Sequence, residues 1–338
     1  MLVAELTAPH EFRLAQETIE DPAPHEVQVR VDAVGICGSD LHAYSEGAVG
    51  DTPSEFPMVL GHEPAGTIVK VGSGVTGGSP GDRAALEPAI YCYHCEFCRS
   101  GRHNICANLK FLSNPGFPGF FREFVNLPVE SLFAIPPRLS MEVATLAEPL
   151  AVALHSMQFA SIRVGESVLV FGAGAIGLLT IASAKLAGAG RIFAIDPLAH
   201  RRALARHMGA DDVFDPADGG AVRDVHCAID CAAKEDTTNA AIRATRHGGR
   251  VVVTGIHSGV TVPFEVSPMR RKELAVFSVR RSNDEMPAAV NLLLDKTAWF
   301  APIVTHSRPL DKIGEGFDIA ERYLDGVGKI VMTQPTSR

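Results

Sequence analysis

The chain predicts an α/β protein of two domains, a β-rich one interrupted by a doubly wound parallel sheet. Three observations carry that expectation. Residues 1–85 read as short strands broken by Pro and Gly. From about residue 164, strands and helices alternate regularly behind a glycine-rich turn. Past about residue 295 the alternation stops and strand-like runs return, as expected if the tail rejoins the first domain. The boundaries expected are 1–150, with a cysteine lobe at 91–106, then 151–294, then 295–338.

Bulk properties narrow the function. With 338 residues there is room for two cores, and 46% hydrophobic with 21% charged residues is ordinary soluble composition. A formal charge of −8 argues against nucleic-acid or anionic-membrane partners. The start of the chain carries no basic segment followed by an apolar core, so no secretion signal is expected. The apolar run 168–179 is broken by Gly172, Gly174 and Gly177 and is too short for a membrane span. Seven cysteines, an odd number with four crowded between Cys92 and Cys106, favour metal in a reducing, cytoplasmic setting over disulfides.

Taken in order, residues 1–6, 27–34 and 66–71 fit half-buried strands, the second through the alternation Val27-Gln28-Val29-Arg30-Val31. Ser39 is placed to cap a short helix running toward Tyr44, and Pro80-Gly81-Asp82-Arg83 is a turn. A small barrel results. Its loops and strand ends carry Cys37, Ser39 and His42 in one short segment, and His62 and Glu63 in Gly61-His62-Glu63-Pro64-Ala65-Gly66. Alone, a His-Glu pair is usually a hydrogen bond and a single Cys a buried apolar residue. Together, Cys, His and carboxylate can hold a zinc ion with one position open, as catalysis requires.

Cys92, Cys95, Cys98 and Cys106 follow the spacing C-x2-C-x2-C-x7-C. One loop can fold four such thiolates around a tetrahedral zinc, and a closed shell makes that zinc structural. Free thiols so close together would oxidise. His94 and His103 read as surface residues of the lobe. Residues 141–159 have helical periodicity and carry Glu148 just before Pro149, a helix boundary or kink that would turn the carboxylate inward. Taken alone, Glu148 is a solvated helix-terminal acid.

The alternating region predicts strands at 167–171, 191–195, 225–230 and 250–255, with helices at 175–187, 201–208 and 237–244. Gly172-Ala173-Gly174-Ala175-Ile176-Gly177 matches G-x-G-x-x-G, a weak signal by itself. Here it follows a strand, opens a helix and precedes a second strand ending at Asp196, the context of a dinucleotide site. Such glycines let backbone approach a pyrophosphate at a helix N-terminus. Asp196 would take the adenosine ribose hydroxyls and repel a 2′-phosphate, favouring NAD over NADP, with Arg201 flanking the adenine. Cys227 and Cys231 read as packing residues, and Arg270-Arg271-Lys272 as a solvated loop. In the tail, 299–304 and 329–332 read as strands around a helix at 313–323.

This combination resembles the zinc-dependent medium-chain dehydrogenases/reductases, and within them the sorbitol (polyol) dehydrogenase branch. The likeness runs nearly end to end, most specifically through Gly61–Gly66 continued to Gly72 and Val75, the four-cysteine lobe, Gly81-Asp82-Arg83 and the 172–177 fingerprint. It implies a GroES-like catalytic domain, a Rossmann domain, catalytic and structural zinc, and NAD. It places the catalytic zinc on Cys37 and His62, with Glu63 or Glu148 completing the shell, directly or through water. It assigns a proton-relay hydroxyl to Ser39, a distal relay imidazole to His42, and NAD contacts to Asp196, Arg201, Gly255 and Ile256. The implied reaction converts a secondary alcohol of a polyol or sugar-like substrate to its ketone, in a homo-oligomer, dimer or tetramer. Where the branch usually has Arg-Tyr, this chain has Arg280-Arg281, an added guanidinium that suits a carboxylate or phosphate on the substrate, or else a surface or subunit contact. Competing readings are a sugar-acid, threonine or simple-alcohol dehydrogenase, and a zinc-free quinone reductase-like or non-catalytic relative.

Overall fold

The computed structural model describes residues 1–218, 222–234 and 236–335. Packing divides the chain into two units, one of Met1–Glu148 with the segment from Met286 onward, the other Pro149–Glu285.

The first unit is built on a sheet in the order Leu132–Ala134, Arg83–Leu86, Glu63–Val71, Glu26–Gly35, Lys329–Thr333, Val304–Pro309, with Phe124–Pro128 also pairing with Glu26–Gly35. Alternation buries Val27, Val29 and Val31 against Phe120, Phe121, Leu127 and Phe317, each worth roughly 1.5–3 kcal/mol of transfer free energy. Register shifts between Gln28 and Val29 and between Val31 and Ala33 re-aim the strand end. Gly35 then lies opposite Glu63 on one side and Val331 on the other. That register brings the start of the last strand to the motif centred on His62.

Several local expectations change. The first helix runs Gly38–Glu46 and its cap is Cys37, not Ser39, because the Asp40 carboxylate accepts the Cys37 N–H at 3.0 Å. Ser39 is thereby placed inside the helix. The predicted helix 141–159 is two helices, Met141–Ala144 and Ala147–Ala160. Pro149 falls in the first turn of the second, where its missing N–H costs little. Residues 297–303 are helical, Thr297–Phe300 then Ala301–Ile303, and the strand begins only at Val304. Phe300 and Ile303 are both fully buried three residues apart, a helical spacing that a short apolar run hides. Helix Met286–Asp295 packs on Leu132–Ala134 and Met141–Ala144, so the return to the first unit falls at 286 where the sequence reading puts 295.

In the second unit, strands run parallel in the order Asp212–Phe214, Arg191–Ile195, Ser167–Phe171, Val225–Asp230, Thr245–Val253, Ala275–Ser278. The central strand is covered on both faces, so Val168, Leu169 and Val170 are all fully buried. The triplet 270–272 is not a loop but the last turn of helix Val266–Lys272. Lys272 Nζ donates to the carbonyls of Arg243 (2.8 Å) and Thr245 (2.7 Å), satisfying the end of helix Thr237–Ala244. Among the described residues no helix is long and apolar enough to cross a membrane.

Candidate active site

Cys37, His62 and Glu63 each present a ligand atom within 4.8 Å of the others. Cys37 caps a helix, His62 precedes a strand, and Glu63 opens that strand, so backbone on several sides holds the group. His62 and Glu63 are buried. The His62 ring lies between two partners, with Nδ1 3.4 Å from Asp40 Oδ1 and Nε2 3.3 Å from Ser39 Oγ. With Nδ1 turned to a carboxylate, Nε2 is the nitrogen left for a metal, the usual support for a ligating histidine.

Asp40 is almost wholly buried and accepts the N–H groups of Cys37 and Gly61. Burial alone would raise its pKa, but His62 and those backbone donors outweigh it and hold it below the ordinary value. At His62 burial opposes the charged ring, yet Asp40 and Cys37 overcome it and lift the pKa well above ordinary histidine. Groups that stabilise a proton so strongly supply the field a divalent cation needs. Glu63 adds to that field, and its carboxylate is paired with the buried ammonium of Lys329. Apart from that ammonium, neither Glu63 oxygen has a hydrogen-bond partner among the described residues. The donor set therefore fits zinc, with one thiolate, one imidazole and one carboxylate.

Glu148 is buried in the first turn of its helix and lies outside the set that meets within 4.8 Å. His42 is hydrogen-bonded through Nδ1 to Glu46 Oε1 at 3.0 Å, one helical turn on, with 14% of its side chain exposed. Asp40 and Lys329 had no role in the sequence reading. Asp40 stands three residues after Cys37, the spacing of a capping box, which could have flagged it. Lys329 merely opens an apolar strand, and nothing local marks it.

In the lobe, Cys92, Cys95, Cys98 and Cys106 also gather within 4.8 Å. Sulfur–sulfur separations of 3.4 Å (Cys92–Cys106) and 3.9 Å (Cys92–Cys98, Cys95–Cys106) bracket the edge of about 3.8 Å that a tetrahedron of 2.3 Å zinc–sulfur bonds requires. N–H groups of Cys95, Cys98 and Asn108 point at the sulfurs of Cys92, Cys95 and Cys106. The Asn108 amide and nearby N–H groups draw the Cys92 thiol down to about 5, whereas burial pushes Cys98 up to about 12. His94 is exposed and the His103 ring packs at a tilt against Tyr91 and Tyr93.

The glycine turn expected to cradle a nucleotide lies in the second unit. Gly172 has φ +85°, and a Cβ on Gly177 would stand 1.8 Å from the Gly172 carbonyl oxygen, so both positions require glycine. Gly174 caps helix Ala175–Leu186, whose first turn holds Ala175, Ile176 and Gly177. The Arg201 guanidinium stands beside Gly174, 3.7 Å from where a Cβ would lie. Asp196, buried after its strand, accepts Ala173 N–H and Leu198 N–H, both at 2.8 Å. Gly255 and Ile256 follow strand Thr245–Val253. Arg280 is exposed, and Arg281 is half-buried with φ +54°, both just beyond strand Ala275–Ser278.

Two family models match this chain, an alcohol dehydrogenase GroES-like domain over residues 23–137 and a zinc-binding dehydrogenase domain over 175–295. Sorbitol dehydrogenase of Gallus gallus is 34% identical over 340 residues, covering 97% of this chain and 95% of its own. Among solved structures, L-idonate 5-dehydrogenase from Escherichia coli superposes with TM-score 0.91 at 25% identity, covering 98% of this chain and 97% of its own. A zinc-binding dehydrogenase from Sinorhizobium meliloti 1021 bound to NADP superposes with TM-score 0.89 at 30% identity, covering 98% of each. With such likeness across both units, the chain belongs to the zinc-dependent medium-chain dehydrogenases/reductases, in their sorbitol dehydrogenase-like branch.

Proposed function

We propose that this dehydrogenase interconverts a secondary alcohol of a polyol or sugar-like substrate and its ketone, using NAD. The observation that carries the reading is the meeting of Cys37, His62 and Glu63 within 4.8 Å. These residues, with Glu148 in the same unit, would hold the catalytic zinc, and Cys92, Cys95, Cys98 and Cys106 the structural one. When bound, zinc supplies Lewis acidity to the substrate hydroxyl and the nicotinamide accepts hydride. Asp40 keeps the His62 ring oriented through Nδ1. Ser39 Oγ, beside His62 Nε2, holds the proton that leaves the substrate, and His42 passes protons to solvent. Asp196 supports NAD over NADP: its carboxylate is buried and pinned by two backbone donors, so it cannot swing away from a 2′-phosphate. The NADP in the Sinorhizobium meliloti relative makes cofactor preference a point to measure.

A homo-oligomer, dimer or tetramer, in the cytoplasm belongs to the same reading. The odd cysteine count and the four-cysteine metal spacing support a reducing compartment, and light scattering on the purified protein measures the subunit count. The Arg280-Arg281 pair favours one variant, a polyol substrate carrying carboxylate or phosphate. The test of the whole reading is reduction of NAD and NADP across neutral polyols, sugar acids, polyol phosphates and secondary alcohols, with zinc measured on the same sample. About two zinc ions per chain are expected, with NAD preferred. Zinc-free protein that reduces quinones, or activity confined to NADP, overturns it.

A further inference from the structure

Asp230 ends strand Val225–Asp230 fully buried, and its carboxylate takes four donors. Ala232 N–H and Ala233 N–H reach Oδ1 at 3.0 and 2.9 Å, and the hydroxyls of Thr237 and Thr238 reach Oδ2 at 2.9 and 2.6 Å. Its backbone carbonyl takes two more, from Thr254 and Gly255, both at 2.9 Å. One residue thus anchors the loop that follows strand Thr245–Val253. In that loop His257 is half-buried, with Nε2 3.0 Å from Thr238 Oγ1.

Counting protons settles the ring. A threonine hydroxyl has one. Two oxygens 2.6 Å apart need a proton between them, and a carboxylate brings none, so the Thr238 proton points to Asp230. Thr238 can then only accept from His257. The neutral ring therefore carries its proton on Nε2 and offers Nδ1 as an acceptor. The loop lies at the carboxyl ends of the strands, where doubly wound sheets bind their ligands. The glycine fingerprint and Asp196 sit on the first half of the sheet, and His257 follows a strand of the second half. In a dinucleotide fold the first half takes adenosine and the second takes the other nucleotide.

We propose that His257 is a further nucleotide-binding residue, its Nδ1 accepting a hydrogen bond from the nicotinamide half of the dinucleotide, at a ribose hydroxyl or the carboxamide N–H. This rests on the dinucleotide reading of the 172–177 cradle. Asp230 and Thr238 act as positioning residues that fix the tautomer.

The experiment titrates NADH and ADP against the full-length wild type, His257→Phe and His257→Asn. Losing one neutral hydrogen bond predicts NADH binding weakened about three- to tenfold in His257→Phe. ADP, which lacks the nicotinamide half, should bind unchanged and so reports that the variant is folded. Asn carries its amide oxygen about where Nδ1 stands, so His257→Asn should restore NADH affinity. Nitrogen NMR should place the His257 proton on Nε2 in the wild type and lose that preference in Thr238→Val. NADH binding unaffected in His257→Phe, an equal loss for ADP, no rescue by Asn, or a proton on Nδ1 overturns the proposal. A wild type that binds neither nucleotide overturns the dinucleotide reading and this proposal with it.

Discussion

Single side chains in this protein matter through what they leave charged in a dry place. Glu63 and Lys329 are almost fully buried against each other, and the ammonium keeps its proton because Glu63, Cys37 and Asp40 outweigh the desolvation that opposes it. Removing one partner of such a pair costs about 3–5 kcal/mol, since the other stays charged and uncompensated. Lys329→Met should lose about that much in urea melts of zinc-depleted protein, and clearly less once zinc is restored, because a divalent cation also compensates Glu63. Equal losses with and without zinc would mean that Glu63 and the metal do not share a site. Cys37→Ser should bring turnover to background and remove about one zinc per chain, while NADH binding stays within about twofold because the proposed nucleotide cradle, residues 172–177, lies in the other unit. Isothermal titration beside metal analysis checks it, and a joint loss of nucleotide binding would contradict separate sites.

Elements are held by contacts at their ends. The start of strand Ser167–Phe171 is tied to strand Thr245–Val253 by the ion pair of Glu166 with Arg250, whose guanidinium also donates to the Ala160 carbonyl at 2.7 Å. Burial raises the Glu166 pKa, but the Arg163 N–H, Arg250 and His226 outweigh it and the net shift is downward from 4.5. A carboxylate lowered in the folded state stabilises above its unfolded pKa, and that contribution disappears as pH falls through the folded value. Glu166→Gln should therefore cost about 1 kcal/mol at neutral pH, after discounting for partial solvent access. Denaturant melts in acid should show the gap closing below about pH 4.5; a constant gap would assign the effect to packing. The cysteine lobe has only Tyr91, Tyr93, Phe97 and Ile105 as large apolar residues, little for a core of its own, and on the proposed reading a metal held by its four thiolates takes that part. Cys95→Ser should lose one zinc and lower the melting temperature by about 5 °C or more. Unchanged melting and zinc content would remove the structural role.

At the level of the whole molecule, one unit is a continuous insertion and the other is closed by the tail. Strand Lys329–Thr333 pairs antiparallel with Glu26–Gly35 some 300 residues away, so the first unit cannot complete its sheet until residue 333 has been made. Residues 149–285 need no such partner, because their six parallel strands all come from within the insertion. Expressed alone, that segment should unfold cooperatively and bind NADH without zinc, within about tenfold of the full chain. Calorimetry and fluorescence titration would decide it, and a segment that stays unfolded would show that the insertion depends on its host.

Much is legible in the sequence alone, for identifiable reasons. The C-x2-C-x2-C-x7-C spacing, the G-x-G-x-x-G turn between strand and helix, and the acid at Asp196 are local patterns whose chemistry demands that spacing. Residue chemistry makes Cys37 and His62 candidates for one zinc, but only resemblance assigns them to the same ion, since they lie 25 residues apart and no local rule joins them. Where periodicity was too short to discriminate, as at 297–303, burial chose helix over strand. Lys329 against Glu63, Asp40 behind His62 and the Asp230–Thr238–His257 chain were set by tertiary structure alone. Sequence carries residue chemistry and local spacing, whereas the field around a buried charge is the sum over whatever strand register brings near it.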